Sequence, residues 1–180
     1  MLIRQLFPLL GLAACLLFGA AIAHESEHQC DGFRDSEKLE HDNKAVVARA
    51  IHEIVNGGRF ELVDELFADD LVEHDAHQAK GPSPKQAFID AVKGFDRAFP
   101  DGIMVIDAQI AEGDMVSTRW HMTGTHRGEF RGIAGTGRSV RITGIFFDRV
   151  KDGKLVETWA NYDLYGLLEQ IRDDQAKDET

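Results

Sequence analysis

A strand near the end of the chain carries residue types that can bind a ligand and move a proton. Glu157, Trp159, Asn161 and Asp163 share parity, so we predict that they project together from the inward face of this strand. A carboxylate, an amide and an indole on one face form a reasonable ligand wall. Burial beside Trp159 disfavours the charged form of Asp163, which suits proton transfer. The other open role for Asp163 is to cap the helix that follows it.

A second segment whose side chains could bind a ligand runs from Arg119 to Gly128. Trp120, Met122 and His126 share parity if no bulge intervenes, so we predict that they line the same pocket wall. Two glycines in this stretch allow a backbone or a ligand to approach closely. His126 can then exchange a hydrogen bond with a bound oxygen. The alternative is a hydrogen-bonded or exposed histidine at the end of a strand.

Two further histidines, His74 and His77, follow a short predicted strand. Their spacing with Glu73 and Asp75 matches no fixed metal geometry, so we predict that His74 lines the mouth of a cavity and that there is no metal site. The sequence contains no serine nucleophile elbow, phosphate-cradling glycine loop or paired-cysteine metal motif. Phosphoryl transfer, nicotinamide chemistry and serine hydrolysis are therefore poorly supported.

Helices that precede most of these strands in the chain must hold the strands in position. Apolar residues at helical spacing predict a first helix between Asp42 and Gly57, a second over 60–67 and a third from Pro84 to Phe99. Ser83 is a good N-cap for the third helix, and proline is favoured in its first turn. A last amphipathic stretch over 164–171 closes the domain.

Between the third and the last helix, the apolar pattern changes to a period of two, which is typical of strands. The predicted strands are 103–110, 115–125, 139–150 and 155–162, with a short strand at 71–74. Gly113-Asp114 and Asp152-Gly153 are tight-turn sequences, so neighbouring strands should pair in antiparallel fashion. These elements predict an α+β fold in which one curved sheet wraps against helices.

The first 23 residues differ from the rest of the chain. They contain one charge, Arg4, then an apolar run and the small-x-small sequence Ala21-Ile22-Ala23, which together are typical of a secretory signal peptide. We therefore expect export to the periplasm or secretion, with membrane contact only before cleavage. An uncleaved membrane anchor and a lipoprotein acylated at Cys15 are the alternatives.

The remaining chain divides into three predicted parts. Residues 24–41 are polar and are expected to form a disordered tether, 42–172 form the domain, and 173–180 form an acidic tail. Cys30 would be the sole cysteine after cleavage, so it is either a free thiol or an intermolecular bridge. His24, His28, Cys30 and His41 lack the paired spacing of a zinc module.

Composition excludes several classes of protein. The 180 residues carry a net charge of −11, which argues against a nucleic-acid-binding surface because such surfaces need clustered lysine and arginine. With 43% hydrophobic residues, 11 of them phenylalanine, the chain has enough apolar surface for a folded core rather than a disordered state.

Three motifs occur in order in the second half of the chain. They are Gly124-Thr125-His126-x-Gly128-x-Phe130-x-Gly132-Ile133, Thr136-Gly137-Arg138 and Gly153-Lys154-Leu155-Val156-Glu157-x-Trp159-x-x-x-Asp163. This combination resembles the SnoaL-like polyketide cyclase family, which has the nuclear transport factor two-like fold. The resemblance implies a cone of curved antiparallel sheet, closed by N-terminal helices around a deep apolar pocket, in a homodimer. It further implies an acid–base role for Asp163, a pocket position for His126, and aldol ring closure without metal or cofactor.

Together these observations predict an exported, cofactor-independent acid–base enzyme of the cyclase, isomerase or lyase type that acts on a small apolar carbonyl compound. Asp163 would be the general base, and Asn161 and His126 would hold the carbonyl or enolate oxygen. Trp159 and Trp120 would shape the pocket and exclude water.

Two other functions stay open. A non-catalytic small-molecule-binding protein would use the same pocket, with Asp163 as a helix cap. An epoxide hydrolase-like enzyme would need a second acid and an arginine near Asp163, and Arg119 and Arg141 are candidates for that arginine. We also expect dimerisation through the outer face of the sheet.

Overall fold

The computed structural model describes residues 34–74 and 83–172. The chain divides into two compact units, Met1–Lys38 and Leu39–Thr180. The predicted signal peptide and acidic tail, and Cys30, lie outside the described residues. No helix within the described ranges has both the length and the apolar character needed to cross a membrane.

Four helical segments belong to the second unit. They are α1 (39–49, continued by the wider π-helical turn Ala50–Val55), α2 (Val63–Leu66, preceded by the 3₁₀ turn Phe60–Leu62), α3 (Pro84–Ala98) and α4 (Leu164–Ile171). α3 begins as predicted, because the side chain of Ser83 accepts a hydrogen bond from the backbone N–H of Gln86 and Pro84 occupies the first turn.

One prediction about the helical segments was wrong. Residues 34–41 are helical, where a disordered tether was predicted. In α1, Glu40 accepts from the backbone N–H of Gly113 and Asn43 donates to its carbonyl, so two side chains anchor a stretch that has few apolar residues. The predicted helix over 60–67 is confirmed to within one residue, since it ends at Leu66 and Phe67 begins a strand.

Five strands form one curved sheet in the order β1-β5-β4-β3-β2. They are β1 (Phe67–Glu73), β2 (Ile103–Glu112), β3 (Met115–Thr125), β4 (Ser139–Lys151) and β5 (Lys154–Tyr162). The predicted antiparallel pairing of β2 through β5 is confirmed. β1 departs from the expected antiparallel sheet because it pairs with β5 in parallel.

A one-residue bulge decides which side chains of β5 face inward. Val150 pairs with Leu155, but the next pair joins Arg149 to Glu157, so Val156 is an extra residue on β5. A bulge reverses the alternation of side chains along the strand. Leu155 is buried in the core before the bulge, while beyond it the even-numbered residues turn inward and the odd-numbered residues turn outward.

The inward face of the sheet and the helices enclose the core. Alternate residues of β3 are buried, namely Val116, Thr118, Trp120 and Met122. One apolar cluster joins α1 and α2 to β1 and to the adjoining ends of β4 and β5. A second joins the end of α3 and α4 to the middle of β3 and the start of β4. α3 packs across this inward face and leaves a cavity beneath it.

An ionisable side chain, Asp148, lies on the inward face of β4 and is 4% exposed. The hydroxyl of Thr158 on β5 donates a hydrogen bond to its Oδ1 over 2.5 Å. Burial raises the pKa of Asp148 to about 7, and this hydrogen bond opposes the rise. The native state therefore holds a proton on Asp148 at pH values where the unfolded chain has released it.

We predict that Asp148→Asn makes the free energy of unfolding less dependent on pH. In the wild type, the contribution of Asp148 to stability falls as pH rises from about 4 to about 7, since only the native state retains its proton. The variant lacks this loss and should be more stable than the wild type at pH 8 by up to about 4 kcal/mol. Urea unfolding at pH 5 and pH 8 measures the difference, with the exposed Asp70→Asn as the matched control. Equal pH dependence in wild type and Asp148→Asn would contradict a protonated Asp148.

Candidate functional site

A cavity of about 150 Å³ lies between α3 and the inward face of the sheet. Its walls are mostly apolar and aromatic. They include Phe88, Val92, Phe95, Phe99, Met104, Trp120, Met122, Ile142, Phe146, Ala160 and Tyr162. This composition favours a small, largely apolar ligand.

Two carboxyl groups interrupt the apolar wall. Glu73 is at the end of β1 and is half-buried, whereas Asp96 is on α3 and is exposed to solvent on one side of the cavity. Desolvation raises the pKa of Asp96, and the nearby charge of Arg97 opposes the rise. A carboxylate with a raised pKa is a stronger base than an ordinary aspartate, so Asp96 is the candidate base of this cavity although, unlike the buried carboxyl expected at Asp163, it remains exposed to solvent.

A third polar group in the wall, Asn56, already has hydrogen-bond partners. Its amide donates to the backbone carbonyl of Met104 over 2.8 Å and accepts from the backbone N–H of Met104 over 2.9 Å. These two bonds join the end of α1 to β2. Asn56 therefore supports the cavity wall.

Trp120 and Met122 line the cavity, as the parity of β3 predicted. The prediction that Trp159, Asn161 and Asp163 face the same pocket was wrong. Because of the bulge at Val156, Ala160 and Tyr162 are the residues of β5 that face the cavity, and the three predicted residues lie on the other side.

Asp163 is exposed and caps α4. Its Oδ1 accepts a hydrogen bond from the backbone N–H of Gly166 over 2.8 Å. Asn161 and Asp163 border an open groove on the outer face, together with Arg119 and Ile145. The structure thus brings Asp163 and Asn161 together, but away from Trp120, Met122 and the cavity.

The arginines that an epoxide hydrolase-like site requires do not hydrogen-bond to Asp163 in the described part of the chain. The Nε of Arg119 is 4.0 Å from Asp107. The backbone of Arg141 exchanges two hydrogen bonds with the side chain of Gln170 on α4. This geometry gives the epoxide hydrolase alternative no support.

His74 also lies on the outer side, where it was predicted to line a cavity mouth. Its ring stacks on Trp159 with centroids 4.7 Å apart, and its Nε2 is 2.9 Å from the carboxylate of Glu157. Arg149 donates to the same carboxylate and to Asp114. The hydrogen bonds from His74 and Arg149 lower the pKa of Glu157. Among residues 34–74 and 83–172, no three metal-binding side chains come together.

His126 is fully buried, but it packs behind the cavity and does not line it. Its ring is 5.4 Å from that of Phe99, and its Nδ1 is 3.1 Å from the hydroxyl of Thr136. Burial lowers the pKa of His126, opposed by the backbone at Gly128, so the ring is neutral at physiological pH. His126 holds the loop after β3 in place.

The glycine motif around His126 attaches this loop to the end of α3. The backbone N–H groups of Arg127 and Gly128 donate to the carbonyl of Ala98 over 2.8 and 3.1 Å. A Cβ at Gly128 would be 2.1 Å from the carbonyl oxygen of Arg97. The motif therefore satisfies the C-terminal end of α3 and fixes the helix that carries Asp96.

Glu73, Asp96 and Tyr162 were missed by the sequence analysis. A signal for Asp96 was present, since Val92, Asp96 and Phe99 recur at helical spacing on the apolar face of α3. The inward position of Glu73 depends on its pairing with Thr158 in parallel strands. Nothing in the local sequence indicates that pairing.

The sequence of this chain matches the sequence model of a known protein family. Residues 45–171 match the sequence model of the SnoaL-like polyketide cyclases, which covers more than half of the chain. The chain belongs to this family. Its α+β fold and curved sheet agree with that membership. Among curated proteins, none matches the chain.

Solved structures show the same fold. IdmH from Streptomyces antibioticus, a proposed polyketide cyclase, is 30% identical with a TM-score of 0.64, and the match covers 71% of this chain and 96% of IdmH. AclR from Streptomyces galilaeus, a proposed hydroxylase, is 25% identical with a TM-score of 0.65 over 73% and 96% of the two chains. A proposed SnoaL-like polyketide cyclase from Jannaschia sp. CCS1 has a TM-score of 0.66 at 21% identity, over 74% and 93%.

The cap geometry of Asp163 predicts how its variants affect stability. Asp163→Ala should lower the free energy of unfolding by about 1 kcal/mol, because it leaves the N–H of Gly166 without its acceptor. Asp163→Asn should change stability much less, because asparagine caps helices about as well as aspartate. Urea unfolding of both variants measures this. A large loss of stability in Asp163→Asn would show that the charge does more than cap α4.

Proposed function

We propose that this SnoaL-like protein is a cofactor-independent enzyme of the cyclase or isomerase kind, which moves a proton on a small apolar carbonyl compound bound in the cavity. The observation that supports this most is the pair of carboxyl groups, Glu73 and Asp96, in an otherwise apolar wall. Family membership supports the reaction class. Proton transfer then takes place in the cavity and not at Asp163.

The chemistry starts with Asp96 in its ionised form. Asp96 removes a proton from a carbon next to a carbonyl group and becomes neutral, and the electron pair of the broken C–H bond moves into an enolate. In an isomerase the enolate is reprotonated at another atom. In a cyclase its carbon attacks a second carbonyl of the same molecule, and the new alkoxide takes the proton back from Asp96, which returns to its ionised form.

The apolar walls assist this chemistry by excluding water. In a site of low polarity the ionised carboxylate loses hydration, which raises its basicity, and each hydrogen bond to the enolate oxygen becomes stronger. General-base catalysis supplies about 10²–10⁴-fold in rate. That range is sufficient for a carbon whose hydrogen is already acidic, such as one between two carbonyl groups.

A non-catalytic binding protein is the second candidate function. The position of Asp163 favours it, because the residue that the resemblance implies as the acid–base group instead caps α4 at the surface. In that case the cavity still takes a small apolar ligand, but neither Glu73 nor Asp96 accelerates proton transfer.

We predict that the full-length protein accelerates hydrogen–deuterium exchange at the acidic C–H of ethyl 2-methylacetoacetate, measured by proton NMR in D₂O. Asp96→Asn should lower the enzyme-dependent rate by about 10²-fold or more, because the base is lost. Glu73→Gln should lower it to a smaller extent. The wild-type rate should rise with pH through the raised pKa of Asp96, because only the ionised form accepts a proton.

The control for this experiment is Asp90→Asn, on the exposed side of α3. An exchange rate no faster than buffer would favour the binding protein. A rate that is lost in Asp163→Asn and kept in Asp96→Asn would overturn the proposed base and restore the role that the resemblance implies for Asp163.

We also propose that a second copy of the chain covers the outer face of the sheet. Large apolar side chains are exposed there, including Phe147 at 44% and Ile145 at 48%. Arg119 and Asp107 lie on this side, so two copies related by a two-fold axis can match opposite charges as well as apolar surface. An apolar patch across several strands is typical of an interface between proteins.

We predict that Phe147→Glu shifts the protein from dimer to monomer, since two carboxylates would be buried in the contact. Sedimentation equilibrium of the wild type and the variant measures the change. Leu39→Glu, at an equally exposed leucine on α1, is the matched control and should leave the mass unchanged. A monomeric wild type at high protein concentration would contradict the proposal.

A further inference from the structure

The cavity wall contains a buried hydrogen-bond donor without an acceptor. Trp120 lines the cavity and is 4% exposed. Its indole Nε1 is buried and makes no hydrogen bond to any residue in 34–74 or 83–172. Buried indole N–H groups usually have a partner, so this one requires an explanation.

Close packing fixes the position of the indole. Gly144 on β4 pairs directly with Trp120, and a Cβ at Gly144 would be 2.3 Å from Cζ2 of the indole. The ring of Phe146 packs against the indole with centroids 5.0 Å apart. Gly144 and Phe146 thus both pack against the indole and hold it in the cavity wall, where Nε1 has no acceptor among the described residues.

The side chains around Trp120 limit which kind of group can accept a hydrogen bond from its indole N–H. Met122, Ile142, Phe146 and Ala160 line the cavity around Trp120 and offer apolar side chains. An indole N–H only donates, so its partner must carry an acceptor such as a carbonyl oxygen. A ligand with such an oxygen relieves the cost of the unpaired donor when it binds.

We propose that the indole N–H of Trp120 donates a hydrogen bond to the carbonyl oxygen of the ligand and thereby selects carbonyl compounds over hydrocarbons of the same shape. This inference rests on the proposed function and adds a specificity-determining residue to it. The cavity volume of about 150 Å³ sets the ligand at the size of a single substituted ring.

Two nearly isosteric probes test this donor. Acetophenone carries a carbonyl oxygen, and α-methylstyrene has a methylene group in its place. The chain has two tryptophans, so its ¹⁵N-labelled full-length form gives two indole N–H signals in NMR, which Trp159→Phe assigns. Acetophenone should shift the Trp120 signal downfield, as hydrogen bonding does, whereas α-methylstyrene should not. Trp159, on the outer side, is the internal control.

Affinity provides the second measurement. Trp120→Phe keeps an aromatic ring and removes the N–H, so the preference for acetophenone over α-methylstyrene should fall by roughly tenfold in this variant. The NMR measurement uses wild-type Trp120, so the test does not depend on the folding of this variant.

The outcomes separate the two proposals. If both probes bind and neither shifts the Trp120 signal downfield, the donor role is wrong while an apolar binding cavity stands. If neither probe binds, the proposed function and the donor role both fail. A downfield shift with acetophenone alone supports both.

Discussion

The extra residue at Val156 determines how β5 contributes to this protein. Before it, Leu155 completes the apolar core beside Val150. After it, the inward-facing residues of β5 border or line the cavity, and Glu157 and Trp159 face outward. A sheet that simply alternated from Leu155 would place Asp163 on the cavity side and leave the aromatic ring of Tyr162 outside. The inner wall, the cap of α4 and the exposed outer face therefore all depend on one irregularity in strand pairing.

Much of the fold could be predicted from the sequence, because local signals determine it. The period of two and the glycine-containing turns located β2 through β5 to within about two residues, and Ser83-Pro84 located the start of α3. The site was less predictable, because β5 carries aromatic residues on both faces and a bulge leaves no mark in such a pattern. Glu73 lies more than 80 residues before its partner Thr158, so its position follows from long-range parallel pairing alone.

The sequence motif that carries the family resemblance mostly stabilises the fold. Gly128 allows close contact with the end of α3, and His126 packs as a neutral ring between that helix and Thr136. These contacts set the position of α3 above the sheet. Since Asp96 is on α3, residues that do not touch the cavity determine where its carboxylate lies. A motif can therefore be specific to a family of enzymes without containing the groups that contact the substrate.

The polar groups of the cavity differ in whether the protein satisfies them. Asn56 uses both its amide oxygen and its amide nitrogen on the backbone of Met104, so binding a ligand there would break bonds that join two elements. The indole N–H of Trp120 is held by packing alone and has no acceptor among the described residues. A buried unpaired donor costs about 1–3 kcal/mol. Such a cost is recovered only when an acceptor arrives. For this reason the unsatisfied indole is a stronger indication of a ligand than the fully bonded amide, although both lie in the same wall.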